Sequence, residues 1–228
     1  MDKHTFSLIE TYMLSCMDDS AHDKEHIYRV LFQALEIAQT EPGTDCDVLI
    51  AACLLHDIGR REQFENPALC HAQVGSEKAA RFLREQGFPH DFVQQVAQCI
   101  LTHRYRQSAP PQSLEAKILF DADKLDVTGA VGIARTLIYE GIVSHPLYTL
   151  RPDGSVSNGE GDTAPSFFQE YKYKLERLYS QFYTARGAQL ARQRQAAAVS
   201  YYENLLAEME GLYQSGRKAL AQAIGSQN

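Results

Sequence analysis

The residues with the clearest chemical potential are His56 and Asp57, which end a short apolar segment. Residues 47–58 read DVLIAACLLHDI and are apolar around the whole circumference of a helix. A carboxylate beside an imidazole at the end of such a segment is costly to bury unless a partner compensates it. A divalent cation would compensate both side chains, although a helix C-terminal histidine beside a solvated aspartate would also explain the pair.

Two further segments contain side chains that could complete a metal site. His26 lies early in a helical segment (HDKEHIYRV), and Asp123 lies in an apolar segment (ILFDADKLD) that holds three acids and a lysine. One histidine, a His-Asp pair and a distant aspartate form a ligand set with open positions for water and substrate. Helical spacing directs Asp121 and Asp126 to other faces, so not all three acids can bind one ion.

The elements that must position these residues are predicted to be helices, and no sustained two-residue alternation predicts a sheet. We expect helices over 5–17, 27–38, 47–58, 76–86, 91–104 and 113–139, and then two long helices between 167 and 216. The predicted fold class is therefore all-α. We expect one helical domain over residues 1–228, with a metal-binding core at about 20–140, a glycine- and proline-rich loop at 141–165 and C-terminal helices at 166–216.

Composition and charge exclude several classes of protein. The chain is 44% apolar and 22% charged, as in ordinary globular proteins, and its formal net charge of −7 argues against a nucleic-acid partner. Five cysteines without CxxC spacing argue against a disulfide framework or a thiolate zinc site. No apolar run is long enough to span a membrane, and the first residues do not form a signal peptide. We therefore predict a cytoplasmic protein.

The sequence resembles the HD superfamily of metal-dependent phosphohydrolases. The segments HDKEHIYRV, AACLLHDIGR and EAKILFDADKLDVTGAVGIAR are similar to those of small bacterial HD-domain hydrolases, some of them manganese-dependent nucleotide pyrophosphohydrolases. The resemblance is strong over roughly residues 20 to 140 and looser in the C-terminal helices. It implies a compact bundle of helices around a metal ion that His26, His56, Asp57 and Asp123 bind.

Two more histidines, His71 and His103, lie between the His-Asp pair and the last aspartate. In binuclear members of the superfamily, two histidines in this interval bind a second metal. In relatives with one metal, histidines here contact phosphate or support the ligands. Both interpretations stay open, as does a hydrogen-bonded histidine at a helix end.

Cations and acids near the predicted ligands are candidates for substrate contact and catalysis. Lys124 and Arg29 are predicted to bind phosphate, and a salt bridge to one of the central acids is an alternative for Arg29. Asp57, Lys124 and Asp126 are predicted catalytic residues, with Asp57 or Asp126 accepting the proton of the attacking water. His22 lies four residues before His26 and is predicted to start the helix or to support the ligands.

The expected function is that of a divalent-metal-dependent phosphohydrolase, in which a metal-activated water attacks phosphorus. By resemblance, the expected substrate is a small phosphate ester or nucleotide, cleaved by pyrophosphohydrolysis of a triphosphate or at a phosphate ester. Mn²⁺ is the expected ion, and Mg²⁺, Fe²⁺, Co²⁺ or Ni²⁺ also suit the ligands. The alternatives are a di-iron oxygenase of the HD fold and a non-catalytic nucleotide-binding module.

Two further features have interpretations that the sequence leaves open. Candidate residues for stacking on a base are Tyr28, Tyr105, Phe120 and Tyr139, although aromatic side chains at helical spacing are more often core. A homodimer is also considered. The apolar face of a predicted helix at 168–183 could be a dimer seam, and core packing is the alternative.

Overall fold

The structure is a computed structural model that describes residues 1–17, 24–104 and 110–225, and within these ranges the fold is all-α. Leu150 and Val156 form an isolated antiparallel bridge, and these ranges contain no strand. The helices are α1 (Lys3–Cys16), α2 (Lys24–Ala38), α3 (Cys46–Leu55), α4 (Arg60–Glu65), α5 (His71–Glu85), α6 (His90–Thr102), α7 (Leu114–Leu125), α8 (Gly129–Ile142), α9 (Phe167–Glu170) and α10 (Ala185–Gly225). The all-α prediction is confirmed.

The chain divides into two compact units. The first comprises Met1–Asp126 and Phe182–Gln189, and the second comprises Val127–Gln181 and Leu190–Asn228. Every residue that the sequence nominated for the metal site lies in the first unit. The expectation of one domain over the whole chain stays a prediction.

Helix α3 is the centre of the first unit, where it packs against α1, α2, α6 and α7. Asp45 caps its N-terminus, because the Asp45 carboxylate accepts hydrogen bonds from the backbone N–H groups of Asp47 and Val48. Seven of its ten residues are buried, as its apolar circumference predicts. The helix ends at Leu55, and the next two residues, His56 and Asp57, are consequently held in the interior.

The predicted helix over 113–139 is in fact two helices, α7 and α8. Helix α7 begins after the Ser113 cap, whose hydroxyl accepts from the Ala116 N–H, and it ends at Leu125. Thr128 is extended, and Gly129 has a φ of 61°, a left-handed conformation that favours glycine. The chain therefore turns between Asp126 and Gly129.

The C-terminal region also differs from the prediction of two long helices. Helix α9 is a single turn, followed by a π-helical turn (Tyr171–Leu175), a 3₁₀ turn (Leu178–Ser180) and the 41-residue α10. The break before α10 has a tertiary cause, because the Asp121 carboxylate accepts hydrogen bonds from the N–H groups of Tyr183 and Thr184. The Thr184 hydroxyl in turn accepts from the Gly187 N–H and caps α10.

The apolar face considered as a dimer seam is core. Tyr171, Leu175 and Leu178 are 1%, 2% and 4% exposed, so they are covered within the chain itself. The loop predicted at 141–165 is confirmed apart from its first two residues, which end α8. Within the described parts of the chain, no helix combines the length and hydrophobicity of a membrane span.

Candidate metal centre

Five chain segments deliver the predicted ligands to one place in the first unit. They are the first turn of α2, the turn after α3, the start of α5, the end of α6 and the last turn of α7. The corresponding side chains are His26, His56 with Asp57, His71, His103 and Asp123. All except Asp123 are at most 4% exposed, and the Asp123 side chain is 16% exposed. The structure thus brings together residues that are up to 97 positions apart in the sequence.

His26, His56 and Asp123 form the first of two ligand clusters. The Nε2 atom of His26 lies 3.3 Å from His56 Nε2, 3.3 Å from Asp123 Oδ1 and 3.6 Å from Asp57 Oδ2. Ligand atoms about 2.1 Å from an ion are about 3.0 Å apart at a right angle and about 3.4 Å apart at a tetrahedral angle. The His56, Asp123 and Asp57 atoms therefore each lie at a distance from His26 Nε2 that suits a shared ion.

Asp57, His71 and His103 form the second cluster. The Nε2 atoms of the two histidines are 3.3 Å apart, and they lie 3.5 Å and 3.7 Å from Asp57 Oδ1. Asp57 is shared, because its Oδ2 faces the first cluster and its Oδ1 faces the second. The sequence indicated both histidines but not this division of the Asp57 oxygens.

Each of the four histidines uses its Nδ1 atom in a hydrogen bond. The partners are Asp126 Oδ2 for His26 (2.7 Å), the Cys53 carbonyl for His56 (2.7 Å), Gln63 Oε1 for His71 (2.5 Å) and the Ile100 carbonyl for His103 (2.6 Å). Since these oxygens accept, Nδ1 carries the proton that is donated. The Nε2 lone pairs then face the clusters, which is the arrangement found for metal-binding histidines.

The carboxylates of the site are strongly acidic. Burial acts to raise the pKa of Asp57, but Arg60 and the surrounding histidines lower it well below the usual aspartate range. Burial acts to raise the pKa of Asp123 as well. The hydrogen bond to His26 and the nearby charge of Lys124 outweigh burial and lower this pKa well below the usual aspartate range. Both side chains are therefore in the charged form that binds a cation.

The histidines respond to burial and to these carboxylates in different ways. Burial lowers the pKa of His56 to about 4 and that of His71 to about 2, so both rings are neutral. Burial acts to lower the pKa of His26 too, but hydrogen bonds to carboxylates outweigh it and raise this pKa to about 10. The His26 proton neutralises part of the negative charge, and a bound cation would replace it. The donor set therefore fits a divalent ion.

Asp126 and Arg29 form an ion pair next to His26. Asp126 contacts Nδ1 of His26, on the side of the ring away from the cluster, and is 2% exposed. Arg29 donates to both oxygens of this carboxylate, from Nε at 2.7 Å and from Nη2 at 3.1 Å. The salt bridge considered for Arg29 is therefore present, and the catalytic role of Asp126 and the phosphate contact of Arg29 stay predictions.

Lys124 lies at the edge of the first cluster. Its Nζ is 3.8 Å from Asp123 Oδ2 and 5.0 Å from the centre of the Phe120 ring. Lys124 therefore pairs with an acid of the site. Phe120 is 1% exposed and packs edge-on against Tyr183, so its aromatic ring is core rather than a stacking platform.

The segment after the His-Asp pair contributes two residues that the sequence reasoning missed. It folds into α4, from which Arg60 Nε donates to Asp57 Oδ1 at 2.9 Å and Gln63 contacts His71. The spacing of three residues between Asp57 and Arg60 is a helical-turn signal that could have indicated the contact. No local signal indicated Gln63.

Gly59 has a packing role in the site. Its φ is −97° and it directly precedes α4, so it needs no left-handed conformation. A Cβ atom at this position would lie 2.4 Å from the His71 carbonyl oxygen and 2.6 Å from the Gly75 nitrogen. The glycine therefore lets α5 approach the His-Asp turn closely enough to place His71.

Two predicted candidates lie outside the described residues. They are His22, considered as support for His26, and Tyr105, considered for stacking on a base. Of the remaining aromatic candidates, Tyr28 donates a hydrogen bond to Glu10, and Tyr139 is 61% exposed on α8 in the second unit.

Comparison with known proteins identifies the family that this fold and site define. The family model of the HD domain matches residues 24–128, which span all the candidate ligands. The crystal structure of a predicted HD superfamily hydrolase from an uncultured Thermotogales bacterium is 30% identical, with a TM-score of 0.59. That match covers 88% of this chain and 90% of the other. The chain belongs to the HD superfamily.

YpgQ of Bacillus subtilis is also similar over almost the full length. This uncharacterized protein of strain 168 is 27% identical over 215 residues, which are 90% of this chain and 93% of YpgQ. The crystal structure of YpgQ in complex with ADP has a TM-score of 0.70 and 26% identity. It covers 91% of this chain and 99% of that one.

Proposed function

We propose that this protein is a divalent-metal-dependent phosphohydrolase that acts on nucleotides. The observation that carries the proposal is the buried cluster of His26, His56 and Asp123, which Asp57 Oδ2 also faces, with both carboxyl groups held in their charged form. Membership of the HD superfamily, in which solved relatives are named hydrolases, supports the same reaction class. We propose His26, His56, Asp57 and Asp123 as the ligands.

Imidazole and carboxylate donors without thiolates favour Mn²⁺, with Mg²⁺, Fe²⁺, Co²⁺ or Ni²⁺ as substitutes. When bound, the ion would polarise a phosphoryl oxygen and lower the pKa of a ligating water. Asp57 and Asp123 would hold the ion through charge. The Asp126–Arg29 pair would keep the His26 Nε2 atom directed at it, because Nδ1 is fixed by the Asp126 carboxylate.

The second cluster supplies hydrogen-bond acceptors for the attacking water. Since the Nδ1–H groups of His71 and His103 are donated to oxygen atoms, Nε2 of each ring is directed at the cluster. An Nε2 lone pair accepts a hydrogen bond from water and cannot donate to phosphate, so we propose water contact in place of the predicted phosphate contact. Lys124 and Arg60 are the cations placed to stabilise charge on phosphate oxygens.

The nucleotide part of the proposal rests on a relative. YpgQ, which aligns with nearly the whole of this chain, has been crystallised with ADP. A ligand of that type presents phosphates to a metal and to cationic side chains, which the cluster with Lys124 and Arg60 would accommodate. We also propose a reducing cytoplasm as the compartment, since all five cysteines are free.

A phosphate and pyrophosphate release assay tests the proposal. Metal-stripped protein is supplied with Mn²⁺, Mg²⁺, Co²⁺, Fe²⁺ or Ni²⁺ and with nucleoside mono-, di- and triphosphates. We expect metal-dependent release by the wild type and by His90→Ala, a control at an exposed histidine on α6. His56→Ala should lose both release and bound metal. Release that persists in His56→Ala would refute the site, and tight nucleotide binding without release would indicate a binding module.

The shared Asp57 favours one alternative function, a di-iron oxygenase. Two ligand clusters that meet at one carboxylate are the arrangement that a pair of irons would need. Protein loaded with Fe²⁺ without oxygen and then partly oxidised should in that case contain two irons and give the electron paramagnetic resonance signal of a mixed-valent pair. One iron per chain would exclude this alternative.

A further inference from the structure

Arg60 makes an ion pair with the carboxylate that the two ligand clusters share. It is the first residue of α4, and its Nε donates to Asp57 Oδ1 at 2.9 Å. Its side chain is 41% exposed, whereas that of Asp57 is 5% exposed. The guanidinium therefore approaches the buried oxygen from the solvent side.

The oxygen that Arg60 contacts is the one that a second ion would require. Asp57 Oδ1 is the carboxylate oxygen of the second cluster, 3.5 Å from His71 Nε2 and 3.7 Å from His103 Nε2. The two Nε2 atoms are 3.3 Å apart, the same separation as between His26 and His56 in the first cluster. The second cluster thus has the spacing of an ion site, but the Arg60 guanidinium already contacts its carboxylate oxygen, Asp57 Oδ1.

Charge separates the two clusters more clearly than geometry does. Asp123 belongs to the first cluster, and Oδ2 of Asp57 also faces it, 3.6 Å from His26 Nε2 and 3.7 Å from His56 Nε2, so two carboxylates are available to balance one divalent ion. The second cluster has no carboxylate of its own beyond Asp57, which it shares through Oδ1. With Arg60 in place, a second divalent ion would lie beside a guanidinium and a first ion, and its other two ligands would be the imidazoles of His71 and His103.

We propose that Arg60 takes the place of a second metal ion and keeps the centre mononuclear. Its guanidinium occupies the Asp57 oxygen and supplies the positive charge that a second ion would bring. His71 and His103 then keep their Nε2 atoms for water. This inference rests on the proposed function, since it assumes that the first cluster binds a divalent ion.

Metal content per chain tests the inference directly. Each protein is equilibrated with excess Mn²⁺, freed of unbound ion by gel filtration and measured by elemental mass spectrometry. We expect one Mn²⁺ in the wild type and two in Arg60→Gln. Arg61→Gln is the matched control, because Arg61 is exposed and pairs with Glu65 away from the clusters, and it should bind one ion.

Two further variants separate a charge effect from a folding effect. Arg60→Gln/His103→Ala should return to one ion, because the second cluster loses a ligand. Arg60→Lys keeps a cation and should also bind one ion, with unchanged helicity by circular dichroism in all variants. Electron paramagnetic resonance should show the exchange-coupled multiline signal of a Mn²⁺ pair only in Arg60→Gln.

The outcomes distinguish this inference from the function on which it rests. Two ions in the wild type, or one ion in Arg60→Gln, would overturn the role of Arg60 and leave the phosphohydrolase proposal intact. No retained ion in the wild type under any metal would overturn both. A second ion in Arg61→Gln would also overturn it, because loss of any surface arginine would then suffice.

Discussion

At the scale of single residues, the hydrogen-bond partners of the two ring nitrogens of His26 decide how the site is organised. His26 has carboxylates on both sides of its ring, with Asp123 and Asp57 facing Nε2 and Asp126 bonded to Nδ1. Asp126, one of the two predicted proton acceptors, is thus bonded to the side of the His26 ring that faces away from the cluster. Its chemical contribution is the orientation and basicity of the imidazole.

The substitution Asp126→Asn tests this orienting role. The amide oxygen can still accept from His26 Nδ1, but the charge that pairs with Arg29 is lost. We expect Mn²⁺ binding to persist with an affinity lowered by about 10- to 100-fold, the usual effect of removing such a partner. Calorimetric titration with Mn²⁺ measures it.

Asp162→Asn is the control for this experiment, because Asp162 accepts hydrogen bonds from Thr149 and Ser157 in the loop of the second unit. Its Mn²⁺ affinity should equal that of the wild type. If Asp126→Asn also binds Mn²⁺ with the affinity of the wild type, Asp126 does not support His26.

At the scale of elements, close packing between α5 and the turn after α3 places the second cluster. The backbone of Gly59 meets that of His71 and Gly75, and α4 supplies both Arg60 and Gln63 to the same place. A six-residue helix therefore links the His-Asp pair to the two additional histidines.

Gly59→Ala should damage this packing. The new Cβ would lie 2.4 Å from a backbone oxygen, so α5 must move, and we expect a loss of about 1 to 3 kcal/mol in the free energy of unfolding. Urea unfolding measures the loss. Gly141→Ala is the control, because nothing lies within 4 Å of its Cβ position on α8. Equal stability of the two variants would contradict the close approach.

Asp121 joins α7 to the start of α10 within the first unit. Its carboxylate is buried and accepts hydrogen bonds from the N–H groups of Tyr183 and Thr184 and from the Thr184 hydroxyl. Burial acts to raise its pKa despite these bonds. The residue thus serves the fold, although it lies two positions from a proposed ligand.

Asp121→Ala should therefore lower stability and leave metal binding unchanged. Without the carboxylate, the N–H groups of Tyr183 and Thr184 lose their hydrogen-bond acceptor in the interior. We expect a loss of about 2 to 3 kcal/mol in the free energy of unfolding. Thermal unfolding and Mn²⁺ titration together measure the two effects. Asp153→Ala, on an exposed loop residue, should change neither quantity. Loss of metal binding in Asp121→Ala at full stability would place Asp121 in the site instead.

At the scale of the whole molecule, metal binding and folding are coupled. The proposed ligands come from α2, α7 and the turn after α3, so a bound ion would hold these elements together and would favour the folded chain. The raised pKa of His26 places a proton beside the carboxylates that such an ion would replace.

Added Mn²⁺ should consequently raise the unfolding temperature. At a free Mn²⁺ concentration 100 times the dissociation constant, we expect a gain of about 2.7 kcal/mol in the free energy of unfolding. Differential scanning calorimetry with and without chelator measures the shift. His90→Ala should show the same gain and His56→Ala should show none. An unchanged transition in the wild type would mean that the ion does not prefer the folded chain.

The sequence by itself determined the fold class, the apolar central helix and the order of the nominated side chains. These features depend on local periodicity and on residue type, which the sequence shows directly. The pattern at 47–58 predicted a helix that is buried on every face, and α3 is that helix. Ionisable groups in apolar helices indicated a shared partner, and the resemblance to the HD superfamily selected His26, the His-Asp pair and Asp123 as the predicted ligands.

The tertiary structure alone decided how those side chains are used. Asp57 divides its oxygens between two clusters, Asp126 turns to the back of His26, and Arg60 pairs with Asp57. The helix breaks near residues 126–129 and 181–184 depend on a left-handed glycine and on hydrogen bonds across about 60 residues. Apart from the Arg60–Asp57 pair, which is three residues apart, these contacts depend on which elements meet in space, and no local pattern records them, because propensity reflects only near neighbours in the chain.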